Sequence, residues 1–465
     1  MASVNGGYGP DDFEKGAPLV LGFVVGQEGC EREGTDTGSD GDAAKKDPVA
    51  NQSWGEYLRI TLSELLLGSK MNILLIATPF AVCSHAMEWG QWPTFVLAMT
   101  ALIPFAERVS FVTEDVAKYT NDTVGGLLNA TFGNITELIL NIMSLKAAQD
   151  FQIKAEAFKE AGDDAGYQGA VEKQFGFLRF VQVTMLGSVL SNLLLVLGSA
   201  FLVGGLKHSE QVFNKTGAVT NSGLLVTAVL ALSLPSILDA THTGNGGMEV
   251  MNTNAGNAPL LLSRFIASVM LVLYCLYIYF QLGTHTHLFQ GDDGEDEEPG
   301  MLGLWGGIFW LAAITLFISL LSEYIVDSVF GAAKELQLPV LFLSGILVPI
   351  VGNAAEHAAA IVFAWRNKME ISLGSAVGSA VQISVFVIPF CVIIGWIPFG
   401  QPMTLDFHIF ETTVLLFTVI SVGFLMVDGR SHWLKGAMLI FAYFMIAAAF
   451  CAHRDPVTTA MVEHS

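Results

Sequence analysis

The chain of 465 residues is 52% hydrophobic and only 14% charged, and its mean hydropathy is +0.54. Soluble chains normally carry about 25% charged residues, so this composition indicates an integral membrane protein whose main partner is the lipid bilayer. The net charge of -21, from 22 basic and 43 acidic residues, argues against nucleic acid as a partner.

The chain begins with a polar tail, residues 1–70, that is rich in Gly and Asp. We expect this tail to be cytosolic and largely disordered, with a short helix over 54–67. Apolar runs of about 20 residues, the length that crosses a bilayer, follow it. They predict an all-α integral membrane protein with about eleven transmembrane helices, at 71–88, 93–117, 123–147, 178–205, 219–239, 259–282, 302–330, 338–365, 371–397, 405–427 and 433–452.

These spans divide into one extra helix and two sets of five. The predicted segments are an extra N-terminal transmembrane helix at 71–90, a first five-helix repeat at 91–282, an acidic linker at 283–300, a second five-helix repeat at 301–453 and a short C-terminal tail at 454–465. Because each repeat has an odd number of spans, the two repeats are inverted. Equivalent helices, broken where they meet, would then approach each other from opposite sides at the midplane.

A Gly-Asn-x-x-Glu sequence occurs once in each half of the chain, inside a hydrophobic segment. The copies are 133–137 and 352–356, and they end in Glu137 and Glu356. A carboxylate at membrane depth is costly unless it has a partner or a function. A structural ion pair is the alternative, but neither copy contains a base. Duplicated acids are typical of transporters in which each repeat contributes one broken helix to a central site.

Other short sequences recur in the same order in the two halves. Glu107 precedes the first Gly-Asn-x-x-Glu sequence by about 30 residues, as Glu323 precedes the second, and Gly-Ser at 187–188 corresponds to Gly-Ser at 378–379. The recurrence supports two homologous repeats.

With these sequences in place, the chain resembles the calcium/proton antiporters, or cation exchangers, of vacuolar membranes in fungi and plants, and we expect a fungal-type member. The resemblance runs from about 100 to 450. The segments that carry it are 101–108 (ALIPFAER), 129–138 (NATFGNITEL), 187–194 (GSVLSNLL), 320–324 (LLSEY), 349–357 (PIVGNAAEH) and 374–384 (GSAVGSAVQIS).

The residue types suit a calcium site. Ca²⁺ takes six to eight oxygen ligands, including carboxylates and backbone carbonyls, and Glu137 and Glu356 would supply two charges. Gly and Asn before each glutamate would loosen the helix and free carbonyl groups that can face the ion. The resemblance implies that neutral oxygens from the Gly-Ser sequences also face the site. The predicted metal ligands are therefore Glu137, Glu356, Asn134, Asn353, Gly133, Gly352, Ser188, Ser379 and Gln382.

The two glutamates also suggest how exchange occurs. Close carboxylates repel each other, so an empty site should take up protons, which Ca²⁺ then displaces. Sodium-coupled relatives tend to hold an additional acid near the position of Gln382, so the resemblance favours protons over sodium. We expect no resident cofactor; Ca²⁺ and H⁺ are transported, and the sequence does not distinguish Ca²⁺ from Mn²⁺.

Two further groups of acids are candidates for access or regulation. Glu107 and Glu323 are predicted on a proton or cation access path, although Glu107 could simply pair with Arg108 and Glu323 could line a vestibule. The resemblance implies a cytosolic acidic helix between the repeats. The linker acids are Asp292, Asp293, Glu295, Asp296, Glu297 and Glu298, predicted to gather cations or regulate, with a merely solvated linker as the alternative.

The resemblance implies exchange of cytosolic Ca²⁺ for luminal H⁺ across the vacuolar membrane by alternating access. A sodium/calcium exchanger is the main alternative and a cation channel a weaker one. We see no catalytic constellation typical of an enzyme. The N-terminus is placed in the cytosol, although bases near the span ends number nine on that side and eight on the other, which is nearly a tie under the positive-inside rule.

Overall fold

The computed structural model describes residues 54–120, 122–240, 258–286 and 300–453. Three predicted segments therefore lie outside the described residues: the tail up to 53, the acids of the linker and the C-terminal tail 454–465. The predicted short helix over 54–67 is confirmed as α1, Trp54–Leu67.

The described residues are almost entirely helical. A 3₁₀ segment, Lys70–Ile76, leads into α2, Ala77–Ala86. The helices of the first predicted repeat are α3 Gln91–Ala117, α4 Asp122–Phe132, α5 Ile135–Glu160, α6 Asp164–Leu190, α7 Leu197–Lys207, α8 Lys215–Ala240 and α9 Ala258–Tyr279. Those of the second are α10 Leu304–Leu336, α11 Val340–Phe342, α12 Val348–Gly352, α13 Ala354–Trp365, α14 Met369–Leu373, α15 Ser379–Gln382, α16 Ile388–Trp396, α17 His408–Met426 and α18 Trp433–Ala452.

Eight helical segments in the described residues are long and apolar enough to span a membrane, and two bent helix pairs raise this number to ten. The bent pairs are Gly55–Leu67 with Lys70–Ala86, at 93°, and Val340–Gly352 with Ala354–Trp365, at 54°. The predicted span 123–147 corresponds to α4 and the first half of α5, which together form an interrupted helix. The second half of α5 is charged. Each of the eleven predicted spans thus coincides with a helix or an interrupted helix.

The segment between the predicted spans 123–147 and 178–205 is not the loop that those bounds imply. The mixed-charge segment 148–176 is helical apart from a short turn, because α5 continues to Glu160 and α6 begins at Asp164. Ala, Glu, Lys and Gln are good helix formers and they dominate this segment. Hydropathy marks where a span leaves the apolar layer, but it does not mark where the helix ends.

Two equivalent segments form the centre of the fold. The most apolar stretch of Asp164–Lys207 is 72% buried and that of Met369–Trp396 is 67% buried, compared with 28% for Leu304–Leu336 and for Trp433–Ala452. Both central segments contain π-helical turns, at Ser191–Val196, Gly374–Gly378 and Ile383–Val387. Such turns leave irregular backbone inside a helix and are frequent at functional sites.

Small residues and a short sheet join the two repeats at the periphery. The strands β1, Gln211–Val212, and β2, Arg430–Ser431, pair antiparallel, which adds a minimal sheet to the otherwise helical fold. Nearby, α7 and α18 are in close backbone contact, because a Cβ on Gly436 would stand 2.2 Å from the backbone nitrogen of Leu202.

Candidate cation-binding site

The two Gly-Asn-x-x-Glu sequences are breaks between helices, as predicted. The first separates α4 from α5 and the second separates α12 from α13, and in each the Asn is the residue at which the new helix begins. Glu137 and Glu356 therefore lie in the first turn of α5 and α13. The N-terminal end of a helix favours negative charge, so the breaks place both carboxylates where the local backbone stabilises their ionised forms.

The two glutamates are brought together by a close contact between the repeats. A Cβ on Gly352 would stand only 2.9 Å from Oε1 of Glu137, so the carboxylate of the first repeat lies against the helix break of the second. Gly352 stands four residues before Glu356, so the carboxylate of Glu137 lies beside the helix break from which Glu356 extends. The missing side chain at Gly352 is what makes room for this arrangement.

Several oxygens around the two carboxylates are buried and unused. Among the described residues, neither carboxylate oxygen of Glu137 accepts a hydrogen bond from another residue, and Oε2 of Glu356 is likewise unpartnered. The same holds for Oδ1 of Asn353 and for Oγ of Ser188. Buried polar atoms normally have partners, and a set of unpartnered oxygens is the donor set that a hard divalent cation takes.

A hydrogen-bonded chain of neutral side chains crosses between the repeats beside these oxygens. Asn134 donates from Nδ2 to Oε1 of Gln382 at 2.7 Å, and Ser379 donates to Oδ1 of Asn134 at 2.8 Å. Asn192 donates to the Ser379 hydroxyl at 3.0 Å, and Asn353 donates to the carbonyl of Ser188 at 3.2 Å. The predicted neutral ligands thus lie together, and Asn192, which is not among them, belongs to the same chain.

A cavity of about 460 Å³ leads to one side of this cluster. It reaches Glu356, Asn134, Ser379 and Gln382, whereas Glu137 lies behind them and is 3% exposed. The rest of its wall comes from the C-terminal turns of α3, from α4, from the end of α9 and the turn after it, from α13, and from the start of α14 with the π-helical turn that follows. The site is therefore approached from one end of the molecule, which we call the open face.

The cavity contains two acids that the sequence did not single out as site residues. Glu114 and Glu370 line it, together with the amide side chains of Asn129 and Gln281. Glu114 stands seven residues after Glu107 in the same apolar helix, and a second intramembrane acid there was the available signal. Glu370 had no such signal, because its relation to the cavity depends on the position of α14.

The predicted access residues lie elsewhere. Glu107 forms an ion pair with Arg108, whose Nε donates to the carboxylate at 2.6 Å, which is the simpler of the two alternatives. Glu323 is half exposed and lies 3.6 Å from Nζ of Lys146. Neither residue is among those that line the 460 Å³ cavity, and their part in an access path stays a prediction.

Residues 90–283 and 306–452 match the family described as sodium/calcium exchanger protein. The chain belongs to this family. Among its relatives in the family, vacuolar cation/proton exchanger 5 of Arabidopsis thaliana is 44% identical over 403 residues, covering 84% of this chain and 83% of the relative. Vacuolar cation/proton exchanger 3 of Oryza sativa subsp. japonica is 44% identical over 421 residues, covering 87% and 92%.

Solved structures of exchangers have the same fold. The Ca²⁺/H⁺ antiporter protein YfkE is 31% identical and superposes with a TM-score of 0.61, covering 82% of this chain and 99% of that one. The H⁺/Ca²⁺ exchanger CAX is 14% identical, with a TM-score of 0.59, and covers 85% and 94%. These matches confirm the predicted helical membrane fold with broken helices.

Among the described residues of this exchanger-family chain, no three His, Cys, Asp or Glu side chains cluster in a way that could hold a metal ion. A cation at the centre would therefore be held by two carboxylates supplemented by amide, hydroxyl and carbonyl oxygens. Few charged ligands give weak and reversible binding, which suits an ion that is bound in order to be released.

Proposed function

We propose that this protein is a secondary active transporter that exchanges cytosolic Ca²⁺ for luminal H⁺ across the vacuolar membrane by alternating access. The observation that carries the proposal is a pair of glutamates, one from each repeat, whose buried carboxylate oxygens, both of Glu137 and Oε2 of Glu356, have no hydrogen-bond partner in another described residue, at the end of a cavity that opens on one side. The names of the plant relatives and of YfkE support both the exchanged ions and the vacuolar location.

The geometry supports competition between the two ions. Two close carboxylates in a poorly hydrated site are stable with a divalent cation between them, or with protons in its place. Ca²⁺ would enter along the cavity past Glu114 and Glu370 and displace protons from Glu137 and Glu356. Asn134, held by Gln382 and Ser379, would keep neutral oxygens in position in both states.

The location of the N-terminal segment supports the proposed orientation. The hydroxyl of Tyr57 in α1 donates to the carbonyl of Leu302, just before α10 begins, at 2.9 Å. Asp115, near the C-terminus of α3, accepts hydrogen bonds from the backbone of Met301 and Leu302 at 2.8 Å. The N-terminal segment is thus at the same end as the open face. An open face towards the cytosol would put α1 there also.

The test is Ca²⁺ uptake into proteoliposomes with an acidic interior. We expect a protonophore to collapse uptake and replacement of external sodium to leave it unchanged, because no carboxylate occupies position 382. Uptake that survives loss of the pH gradient and follows a sodium gradient would show a sodium/calcium exchanger instead. Ion flux without coupling to either gradient would show a channel.

A further inference from the structure

The equivalent faces of the two central helices have opposite surroundings. Gly187 in α6 and Gly378 in the matching segment stand at the same position of the Gly-Ser sequence. A Cβ on Gly187 would stand 2.2 Å from the carbonyl oxygen of Gly345 and 2.7 Å from Cγ of Pro349, whereas one on Gly378 would meet no atom within 4 Å. One repeat is therefore closed where the other is open.

The partner of Gly187 shows the same asymmetry. Gly345 and Gly126 are equivalent, since each stands eleven residues before the glutamate of its repeat. Gly345 touches α6 through the Gly187 contact and through Val183, whose Cγ1 would stand 3.0 Å from a Cβ on Gly345. Gly126 instead lines the 460 Å³ cavity. The contact that is formed at the closed face is thus absent at the open face.

The closed contact continues along α6 into a buried ion pair. Residues 179, 183 and 187 follow one another at intervals of four, so they lie along one face of the helix. Arg179 forms an ion pair with Glu411, and their side chains are only 4% and 1% exposed. Glu370 is the equivalent of Arg179, because each stands eight residues before the glycine of its Gly-Ser sequence. Glu370 lines the cavity at the open face.

The ion pair joins the two repeats. Arg179 belongs to α6 of the first repeat and Glu411 to α17 of the second. Arg179 also donates to Oε1 of Gln182 at 3.2 Å, and Gln182 donates to the carbonyl of Thr404 at 3.0 Å, in the connection before α17. Burying an ion pair offers little net stability over an apolar pair of similar volume, so its location between the two repeats, on the same face of α6 as the Gly187 contact, is the more informative property.

We propose that Arg179 and Glu411 are positioning residues for transport: their ion pair holds α6 against α17 and keeps Gly187 on Gly345, which closes the central site towards the face opposite the cavity. This inference rests on the proposed alternating-access function. In the other transport state this pair separates, Gly187 leaves Gly345, and Gly378 closes on Gly126. The glycines allow the close approach, and the ion pair sets how strongly the closed arrangement is favoured.

Cysteine accessibility tests the proposal in the full chain in nanodiscs, with the five native cysteines replaced. The probes are Thr184→Cys and Ser375→Cys, at equivalent positions three residues before Gly187 and Gly378. Thr184 is 1% exposed and Ser375 lines the cavity. We expect a membrane-impermeant maleimide to label Ser375→Cys at least about tenfold faster than Thr184→Cys. The reason is that the state open at the cavity is populated more than the state open at the opposite face.

Weakening the closed contact should expose the protected probe. Arg179→Gln or Glu411→Gln should raise the labelling rate of Thr184→Cys by about tenfold, and the exchange of charges in Arg179→Glu with Glu411→Arg should restore most of the protection. Gly187→Ala should act in the same direction without touching the ion pair. It serves as the second variant if loss of either charge prevents folding.

Two matched controls separate a gate from general loosening. Gly378→Ala changes the equivalent glycine but has space for its Cβ in this state, and Lys435→Gln removes a buried cation that pairs with Asp428 within one repeat. We expect neither control to raise labelling of Thr184→Cys. Protection that persists in Arg179→Gln, Glu411→Gln and Gly187→Ala, or an equal rise in both controls, would overturn the proposal.

The two proposals fail in different ways. If the parental chain did not exchange Ca²⁺ for H⁺ in proteoliposomes, the proposed function would be wrong whatever the labelling showed. If the parental chain exchanged normally while the three gate variants left both Thr184→Cys labelling and exchange unchanged, the gate would be wrong and the function would stand.

Discussion

At the scale of single residues, the central site is distinguished by buried oxygens that have no hydrogen-bond partner in another described residue. Glu137 is 3% exposed and its carboxylate accepts no hydrogen bond from another described residue, although it lies 2.9 Å from where a Cβ on Gly352 would be. An isolated buried charge is strongly disfavoured. The site is therefore complete only when a cation or a proton occupies it.

Neutralising either glutamate should abolish exchange. Glu137→Gln and Glu356→Gln each remove one of the two charges that balance Ca²⁺ and one group that takes up protons. Loss of one partner of a buried charge pair costs about 2 kcal/mol or more, so uptake should fall at least thirtyfold in proteoliposomes. The variants should fold, because the amide has the same shape as the carboxylate.

Glu107→Gln is the control for this pair. Its carboxylate is paired with Arg108 and does not line the cavity, so exchange should remain measurable, with a shifted pH dependence. Near wild-type transport by either central glutamine variant would exclude a shared site.

A side chain at Gly352 should disturb the site more than the fold. In Gly352→Ala the new Cβ would meet Oε1 of Glu137 at 2.9 Å, the end of a flexible side chain that can move away. We expect the Ca²⁺ concentration for half-maximal uptake to rise severalfold while the melting temperature changes little. Gly169→Ala, where a Cβ meets no atom within 4 Å, should alter neither quantity. A large loss of stability with unchanged Ca²⁺ dependence would contradict this account.

At the scale of helices, the sequence located elements better than it located their ends. The broken helices were predictable because Gly and Asn stand four and three residues before each Glu in an apolar run. The extension of α5 and α6 beyond the apolar layer was not, since it depends on helix propensity in a charged segment. The partnership of Arg179 with Glu411 was also beyond prediction, because the two residues are 232 positions apart and only the packed fold brings them together.

The close contact between α7 and α18 should depend on glycine. A Cβ on Gly436 would stand 2.2 Å from the nitrogen of Leu202 and 2.6 Å from the oxygen of Gly198, and both are backbone atoms that cannot rotate away. Gly436→Ala should therefore destabilise the protein by about 1–3 kcal/mol, the usual penalty of overpacking. This would appear as a lower melting temperature in detergent.

Gly223→Ala provides the matched comparison within a helix. Gly223 lies in α8, and a Cβ there would meet no atom within 4 Å. The substitution should leave stability unchanged or raise it by about 0.5–1 kcal/mol, because Ala loses less backbone entropy in a helix than Gly does. Equal melting temperatures for Gly436→Ala and Gly223→Ala would contradict the close backbone contact between α7 and α18.

At the scale of the whole molecule, charge outside the membrane should affect how Ca²⁺ reaches the site. The six linker acids lie outside the described residues, and their role stays a prediction from the sequence. Replacing all six with Asn or Gln should preserve exchange but raise the Ca²⁺ concentration needed for half-maximal uptake, most clearly at low salt, where charge is least screened. An unchanged Ca²⁺ dependence at low ionic strength would leave only a connecting role.

The family, and the predicted site residues that the structure brings together, were accessible from the sequence because the duplication marks them. Glu137, Glu356 and the Gly-Ser sequences stand at matching positions, and inverted repeats bring matching positions together. The duplication does not reveal the asymmetry of the structure, because two similar sequences do not indicate which repeat is open and which is closed. The cavity wall at Glu114 and Glu370, and the closed contact at Gly187, depend on the one state that the structure shows.

The empty space beside Gly378 has a consequence for how tolerance to substitution should be read. In this conformation an alanine would fit there without contact, and a stability screen would score the position as permissive. If the two repeats exchange environments, the crowding that Gly187 experiences here falls on Gly378 in the other half of the cycle. Each repeat would then be constrained by the conformation in which it is compressed. A mutational scan that measures transport should find both Gly187 and Gly378 intolerant of substitution. A scan that measures folding should find only Gly187 intolerant.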